Sequence, residues 1–337
     1  MIKINKDTKI YVMCPSRIAT GGPELLHQLV HKLNKFGFSA QMFYTNKFNK
    51  FEFNAQMLYS NKYGKPINPN YIKYDNNFSF SLEDQEQNIL VVPETMTGLL
   101  YKYKKVRKII WWLSVDNFSR ELSFKKIKLL TFLGMYKIYN FNSAQKIYHI
   151  VQSEYARSFI EDKGVQGSYY LSDYLNIDFL NNRPPNYTSE GRKNNVLYNP
   201  AKGFEFTKKI ISKASHLNWI PLINLSPVQV STILKDSKVY IDFGNHPGKD
   251  RFPREAAISG CCVITGKRGS AKFQKDLPIK EEYKFNDDII EIDAIISKIE
   301  KCINNYDDAI NDFSEYREVI LKDENKFEKE ILQIFIK

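Results

Sequence analysis

The chain has 337 residues, 43% of them hydrophobic and 26% charged, which is typical of a globular protein and excludes a disordered or fibrous one. This length exceeds what one hydrophobic core usually serves, so it predicts two domains. The formal net charge of +11 predicts an anionic partner, and nucleic acid, a phosphorylated small molecule and an acidic membrane face all fit it.

We expect neither a secretory signal nor a membrane-spanning segment. Residues 1–14 lack a long apolar core and a small-residue cleavage site, and no segment approaches the roughly 20 apolar residues that cross a bilayer. The cysteines form no CxxC pair; they are Cys14, Cys261, Cys262 and Cys302. We therefore expect a cytoplasmic protein with reduced thiols.

The N-terminal stretch has the order of a β-loop-α-β unit. Lys9–Cys14 predicts a strand, an amphipathic helix follows with Pro23 in its first turn, and Phe38–Tyr44 predicts the next strand. This order favours a Rossmann-like domain. Gly21 and Gly22 precede the helix, where glycines let a ligand approach the backbone and a helix N-terminus attracts anions. A plain strand-to-helix turn explains the two glycines equally well.

Two carboxylates follow later strands of the same domain. Residues Asn46–Phe80 have weak periodicity and predict irregular structure around one short element. Strands are then predicted at Asn88–Val92, Ile109–Leu113 and Ile147–Val151. Parallel sheets bind substrate at the carboxyl ends of their strands, so Glu94 and Asp116 are candidate catalytic residues that orient or deprotonate an acceptor. A carboxylate just past a strand is also a common helix cap.

A basic and aromatic segment spans Leu99–Phe141. Its cations include Lys102, Lys104, Lys105, Arg107, Lys108, Lys125, Lys126 and Lys128. Such a mixture could rest on an anionic membrane surface, or bind single-stranded nucleic acid by stacking and phosphate contact. A solvated charged face with its aromatic residues in the core is the third interpretation.

A change of composition predicts the domain boundary. Residues 179–194 are polar, contain Pro184-Pro185 and lack an apolar period, so we place a linker there between an N-terminal domain, 1–178, and a C-terminal domain, 195–310. The second domain again alternates predicted strands and helices. Residues 311–337 predict helices that could pack back on the N-terminal domain.

The stretch Val239–Ala271 has the features of an active-site floor. An apolar strand, Val239–Phe243, leads into a polar loop, a short helix opened by Pro253, a second strand, Cys261–Ile264, and a Gly-rich basic loop. Both loops leave the carboxyl ends of strands, where α/β proteins bind ligands.

This layout resembles the GT-B class of nucleotide-sugar glycosyltransferases, in particular the retaining family with a Glu-Ala donor-binding helix. The similarity is carried by VYIDF, the Glu255-Ala256-Ala257 helix, Gly260, CCVIT and the loop Gly266–Ser270. The resemblance implies an α/β fold of two Rossmann-like domains that face each other across a cleft, with C-terminal helices.

The resemblance also implies roles for individual residues. Glu255 matches the glutamate that binds the ribose hydroxyls of the donor nucleotide, and Lys202 lies where the family has a cation for the donor diphosphate. Members usually carry a second glutamate eight positions before the first, but that position is Pro247 here. Donor sugar and stereochemical outcome therefore stay open. We assign the neighbouring His246 to donor-sugar binding or catalysis, although it could equally be a loop residue satisfied by backbone contacts.

The chemistry of glycosyl transfer predicts the same region independently. A nucleoside diphosphate leaving group develops negative charge, which Lys, Arg and helix N-termini can stabilise without a metal. The candidate donor-binding residues are Lys202, Gly203, Gly248, Lys249, Arg251, Glu255, Gly266, Lys267, Arg268, Gly269 and Ser270. Because no Asp-x-Asp pair is placed to hold a divalent cation between phosphates, we expect neither a metal nor another cofactor.

These features favour an enzyme that transfers a hexose-like sugar from a nucleotide-sugar donor to a glycan or lipid-linked glycan acceptor. The resemblance places such an enzyme in bacterial surface polysaccharide synthesis, in the cytoplasm or peripherally on the inner face of the membrane. A nucleotide-sugar epimerase of the same fold and a non-catalytic basic anion-binding or nucleic-acid-binding protein are the alternatives. We expect no nucleic-acid partner, because no zinc-ligand set or RNP sequence is present.

Overall fold

The computed structural model describes residues 1–44, 66–123, 129, 131–134, 137–143 and 146–336. Most of the predicted irregular segment Asn46–Phe80, and the lysines Lys125, Lys126 and Lys128, lie outside these residues. The chain divides into two units. Unit 1 contains Met1–Gln152, Ala156–Leu171 and Glu328–Lys337, and unit 2 contains Ser153–Tyr155 and Ser172–Phe327.

Unit 1 is built on a parallel sheet of short apolar strands that are mostly buried. In chain order, the strands are β1 Ile2–Lys3, β2 Lys9–Met13, β3 Ser39–Phe43, β4 Phe78–Ser79, β5 Ile89–Pro93, β6 Arg107–Trp112, β7 Ile147–Val151 and β8 Tyr169–Tyr170. The spatial order in the seven-stranded sheet is β4-β3-β2-β5-β6-β7-β8. The first strand instead pairs in parallel with the last strand of the chain, which also belongs to unit 1.

The first helix of unit 1 follows the predicted periodicity. Within the described residues, the helices of this unit include α1 Gly21–Lys35, α2 Val115–Ser123 and α3 Glu154–Glu161, with 3₁₀ helices at Pro69–Tyr74 and Glu94–Tyr101. In α1, the apolar side chains of Leu25, Leu29 and Leu33 recur at helical spacing and are buried. Gly37 follows with a φ of 75°, a left-handed conformation that ends the helix.

Unit 2 has a second parallel sheet. Its strands are β9 Lys193–Tyr198, β10 Asn218–Pro221, β11 Ser237–Asp242, β12 Cys262–Gly266 and β13 Lys284–Phe285, in the order β10-β9-β11-β12-β13. Its helices are α4 Ile177–Asn181, α5 Phe204–Lys213, α6 Pro227–Lys235, α7 Arg251–Ser259, α8 Ile292–Asn304 and α9 Tyr306–Ala309. The last helix, α10 Ser314–Ile334, begins in unit 2 and continues into unit 1, where β14 Phe335–Ile336 pairs with β1.

Both sheets reverse their strand order at one point, and this determines where ligands can bind. In unit 1 the chain builds outward from β2 on one side and from β5 on the other, and in unit 2 the same happens at β9 and β11. A crevice opens at such switch points, beyond the carboxyl ends of the strands. The loops after β2, β5, β9 and β11 are therefore the favoured ligand-binding loops.

The predicted α/β fold, with two Rossmann-like domains and C-terminal helices, is confirmed. Two details differ. The helix expected to open at Pro253 begins at Arg251, so the proline occupies its first turn. The segment expected as a linker, 179–194, lies within unit 2, where Phe179 and Leu180 on α4 are buried in the core. Within the described ranges, no helix combines the length and apolar character needed to cross a bilayer.

Stability should depend on pH through two buried histidines of unit 1. Burial lowers the pKa values of His27 and His149 to about 4, below the ordinary value of 6.5. The unfolded chain therefore binds more protons below pH 6.5, and stability present above that pH is lost as pH falls towards 4. Each histidine should contribute a slope of about 1.4 kcal/mol per pH unit in that window.

Urea denaturation of His149→Gln between pH 7 and 5 should show a flatter pH dependence than the unsubstituted chain. His149 Nδ1 accepts a hydrogen bond of 3.0 Å from Trp112 Nε1, which the glutamine oxygen can replace. His216→Gln is the matched control, because the His216 side chain is 62% exposed. Equal pH slopes in all three proteins would contradict this explanation.

Candidate functional site

In unit 1, the sequence candidates lie around the switch point between β2 and β5. Gly21 and Gly22 are the first two residues of α1. Glu94 follows β5, is 3% exposed, and its Oε2 accepts a hydrogen bond of 2.9 Å from the N–H of Leu113, just after β6. This carboxylate therefore links the ends of two neighbouring strands. Asp116 is the second residue of α2 and is half-buried.

In unit 2, the loops after β9 and β11 approach each other more closely than side chains allow. Gly203 has a φ of 61°, and a Cβ there would lie 2.1 Å from the carbonyl oxygen of Phe243. A Cβ on Gly244 would lie 2.5 Å from Cβ of Lys202. Glycine is therefore required on both loops, and the contact brings Lys202 to the switch point.

The Lys202 ammonium is the first group in a series of polar contacts. Its Nζ lies 2.6 Å from Oδ2 of Asp250. The same Asp250 oxygen lies 3.3 Å from Nδ1 of His246, and His246 Nε2 lies 3.6 Å from Oδ1 of Asp242. His246 is 1% exposed, so the imidazole lies in the interior between two carboxylates rather than on the loop surface. Burial raises the pKa of the Asp250 carboxyl, against the opposing effects of His246 and Lys202.

Asp242, His246 and Asp250 could also hold a metal ion, since their ligand atoms lie within 4.8 Å of one another. Nε2 of His246 is buried without a hydrogen-bond partner, which suits a metal ligand, but both oxygens of Asp242 and one oxygen of Asp250 already have partners. Asp242 Oδ1 accepts the N–H of Gly244 and Oδ2 accepts the hydroxyl of Tyr240, both at 2.9 Å. Asp250 is paired with the nearby lysine ammonium. A metal ion would therefore have to displace a cation already in contact with this group.

The loop after β12 packs against the backbone of His246 and forms a hydrogen bond with it. Gly269 has a φ of 58°, and a Cβ there would lie 2.0 Å from the carbonyl oxygen of His246. The N–H of Ser270 donates to that oxygen at 2.8 Å, and its hydroxyl donates to the carbonyl oxygen of Gly248 at 2.5 Å. Gly248, Gly269 and Ser270 thus join the two loops that were predicted to bind the donor.

The cations of this loop are paired with carboxylates. Arg268 Nε lies 2.7 Å from Oδ2 of Asp287, and Lys267 Nζ lies 3.3 Å from Oε2 of Glu281. Burial raises the pKa of Asp287, and Arg268 opposes that effect. A Cβ on Gly266 would lie 2.4 Å from an oxygen of Asp287, so this glycine admits the carboxylate to the end of β12.

Helix α7 carries the remaining predicted donor residues. Arg251 Nε lies 3.5 Å from Oε1 of Glu255, one turn further along the helix, and Glu255 is 7% exposed. Lys249, in contrast, turns away from this pair. Its ammonium is buried and lies 2.9 Å from Oδ1 of Asp323. The ammonium is thus engaged by a carboxylate of α10.

The structure therefore brings most of the unit 2 candidates together and adds residues that the sequence did not single out. These additional residues are Asp242, Asp250, Asp287 and Asp323. A signal for two of them was present, because Asp242, His246 and Asp250 recur every four residues around the β11 loop. Asp287 and Asp323 lie far along the chain from their partners, and no spacing pattern indicates them.

Solved structures with the GT-B fold resemble the whole chain. Anabaena HepE in complex with UDP has a TM-score of 0.62 at 11% identity, over 97% of this chain and 99% of that one. The pneumococcal O-GlcNAc transferase GtfA, in complex with UDP and GlcNAc, has a TM-score of 0.58 at 10% identity over 97% of each chain. An α-glucosyltransferase in complex with UDP and DNA has a TM-score of 0.52 at 9% identity, over 94% of this chain and 95% of that one.

This chain spans only 55% of the length of TarM, with a TM-score of 0.53 at 19% identity over 75% of the present chain. No protein-family model and no curated protein matches the sequence. The chain thus has the GT-B fold of nucleotide-sugar glycosyltransferases, as the sequence predicted. At these identities the likeness shows the fold alone.

The close approach of the two loops predicts a large cost for a side chain at Gly203. Gly203→Ala should lower the free energy of unfolding by about 3 kcal/mol, since the new Cβ meets the Phe243 carbonyl and the backbone stays left-handed. Gly191→Ala is the matched control in unit 2. Its φ is 75°, but a Cβ there has no neighbour within 4 Å, so about 1 kcal/mol is expected. Urea denaturation compares the two, and equal losses would contradict the close approach.

Proposed function

We propose that the chain is a glycosyltransferase that moves a sugar from a UDP-sugar to a glycan or lipid-linked glycan acceptor. One observation carries this proposal: in unit 2, glycine-dependent loops after β9 and β11 meet at the switch point and present Lys202. Such a crevice is where α/β sheets bind nucleotides. UDP is present in the similar structures of HepE and GtfA, which supports it as the nucleotide.

The donor would be held by complementary charge. The Lys202 ammonium is 36% exposed in its side chain and would bind the diphosphate, in competition with Asp250. The Glu255 carboxylate has two oxygens that can accept hydrogen bonds from the two ribose hydroxyls, while Arg251 lies beside it. As the sugar–phosphate bond breaks, the diphosphate gains negative charge. The lysine ammonium therefore interacts more strongly with the transition state than with the bound substrate, and this difference lowers the barrier.

Transfer without a metal is part of the proposal, and three contacts support it. Asp250 contacts Lys202, Asp287 contacts Arg268, and Asp242 accepts a backbone N–H. The basic side chains and the N-terminus of α7 would then carry the electrostatic stabilisation of the leaving group. Nδ1 of His246 contacts the carboxylate of Asp250, and in this way His246 would fix the position of the Lys202 ammonium.

The proposed acceptor is an intermediate of bacterial surface polysaccharide synthesis, and the transfer takes place at the inner face of the cytoplasmic membrane. Three apolar side chains of unit 1 support contact with a lipid surface: Leu129 is 57% exposed, Phe132 86% and Leu133 56%. Lys137 follows in the chain, and its ammonium lies 5.6 Å from the ring centre of Tyr101. Apolar side chains that enter the interface, with lysines nearby, are complementary to anionic lipid.

A thermal-shift panel of UDP, GDP, dTDP and CMP tests the donor site. UDP should raise the melting temperature most, because a ligand at 100 times its Kd stabilises the folded state by about 2.7 kcal/mol. Excess EDTA should leave the shift unchanged. Lys202→Met and Glu255→Gln should each weaken UDP binding by about tenfold, the effect of losing a charged hydrogen bond.

Lys213→Met is the matched control, since Lys213 ends α5 and pairs with Asp293 on the surface of the same unit. This variant should retain the UDP shift. No shift with any nucleotide would contradict the proposed function, and a shift that EDTA abolishes would contradict transfer without a metal. Binding of DNA with a steep salt dependence would instead favour a nucleic-acid partner.

Vesicle co-sedimentation tests the membrane contact. The chain should bind vesicles that contain phosphatidylglycerol and should not bind vesicles of phosphatidylcholine alone. Phe132→Ser/Leu133→Ser should weaken that binding by at least about tenfold, since two apolar side chains no longer enter the interface. The control, Ile289→Ser/Ile290→Ser, removes side chains of unit 2 that are 63% and 82% exposed. Equal losses in both variants would show that the contact is not at Phe132.

A further inference from the structure

Next to residues of the proposed donor site, unit 2 contains a buried network of charged side chains. Its cations are Lys249 and Arg254, and their carboxylate partners are Asp323 and Asp173. Lys249 Nζ lies 2.9 Å and 3.1 Å from the carboxylate oxygens of Asp323 and 3.2 Å from the hydroxyl of Ser172. Arg254 Nη2 donates to Oδ2 of Asp173 at 2.5 Å, and its Nη1 lies 3.6 Å from Asp323. The side chains of the four charged residues are at most 7% exposed. A third buried carboxylate of unit 2, Asp276, also interacts electrostatically with Lys249.

The network fixes one face of a short segment whose other residues form the donor site. In the segment 249–255, Lys249 and Arg254 contact the network. Asp250 contacts Lys202 of the loop after β9 and His246 of its own loop. Arg251 pairs with Glu255. Anchoring residues and donor-site residues thus alternate along the same stretch of backbone. A shift of the anchored residues must therefore move the donor-site residues.

The two cations share one carboxylate, which makes this anchor sensitive to substitution of Asp323. Burial alone would lower the pKa of Arg254, yet Asp173 and Asp323 hold it above its ordinary value. If Asp323 loses its charge, both Lys249 and Arg254 lose a carboxylate partner in the interior. An uncompensated buried charge is strongly unfavourable, so the segment is expected to move until water reaches the cations.

We propose that Asp323, on helix α10, and Asp173 are positioning residues that fix the segment 249–255 for binding of a nucleoside diphosphate. The inference rests on the proposed function for its ligand, but the anchoring itself is a property of unit 2 alone. It assigns to Lys249 a role in holding the segment in place of the direct diphosphate contact that the sequence predicted. It also gives the C-terminal helix a part in the donor site, through a residue 74 positions beyond Lys249.

Asp323→Asn tests the proposal with two measurements on the full chain. Hydrogen exchange of the backbone over 249–255 should become faster, because the anchor is lost. UDP binding, measured by titration calorimetry well below the melting temperature, should weaken by about tenfold, the scale expected when binding groups are displaced by a fraction of an ångström or more. Asp323→Glu, which restores the charge, should recover part of the affinity.

Asp312→Asn is the matched control. Asp312 is also a carboxylate of unit 2 near its C-terminal end, but it binds Lys280 and Tyr283 instead. This variant should lose stability and keep the UDP affinity. Equal UDP affinity in Asp323→Asn and the unsubstituted chain, with exchange over 249–255 unchanged, would overturn the positioning role.

Two further results separate the possible failures. If Asp323→Asn does not fold, Ser172→Ala removes the 3.2 Å hydrogen bond to Lys249 while it leaves all four charges in place, and it should weaken UDP binding in the same direction by about two- to threefold. No change in that variant would overturn the proposal. If the unsubstituted chain binds no nucleotide, the proposed function fails. Faster exchange over 249–255 in Asp323→Asn than in Asp312→Asn would then still support the anchoring, and equal exchange would overturn it.

Discussion

The close approach of two backbones in unit 2 is the constraint on which the proposed site depends. Only a glycine at position 203 lets the loop after β9 lie against the carbonyl of Phe243 at the end of β11. A second approach, of Gly269 to the carbonyl of His246, brings in the loop after β12. Three strand exits are thereby held together by backbone contacts. Their charged side chains can then be aligned without long, flexible connections.

The charged side chains at these exits differ in burial. The side chain of Lys202 is 36% exposed and that of Arg251 is 21% exposed, so under the proposed function they can exchange their present partners for a ligand. Lys249 and Arg254 are buried against carboxylates and cannot do so without a large desolvation cost. A lysine near a phosphate-binding loop is therefore not by itself a phosphate ligand. Its burial and its partner decide which role it has.

The sequence was sufficient for the fold because short apolar runs and helical periods recur in alternation. The sequence predicted Gly203 and Gly269 as donor-binding residues; the structure shows that each lets two backbones approach closely, and the contact with a donor stays a prediction. The sequence could not predict which partner the Lys249 side chain contacts. Its partner, Asp323, lies on a helix 74 residues later, and only the packing of that helix brings the carboxylate to the segment.

His246 illustrates the same limit at short range. The sequence left open whether it was a loop residue or part of the donor pocket, and the structure buries it between Asp242 and Asp250. The four-residue spacing of these side chains resembles a helical pattern, yet the residues lie on a strand end, a loop and a helix N-cap. Their contact therefore depends on the tight turn of the loop, which no periodicity describes.

Under the proposed function, unit 2 binds a nucleoside diphosphate at the switch point, where the loops after β9 and β11 meet. A crystal structure of the chain with UDP tests it most directly. The diphosphate should contact Nζ of Lys202, and the ribose hydroxyls should lie within hydrogen-bond distance of Glu255. A nucleotide bound elsewhere on the chain, or an empty site at saturating UDP, would contradict it.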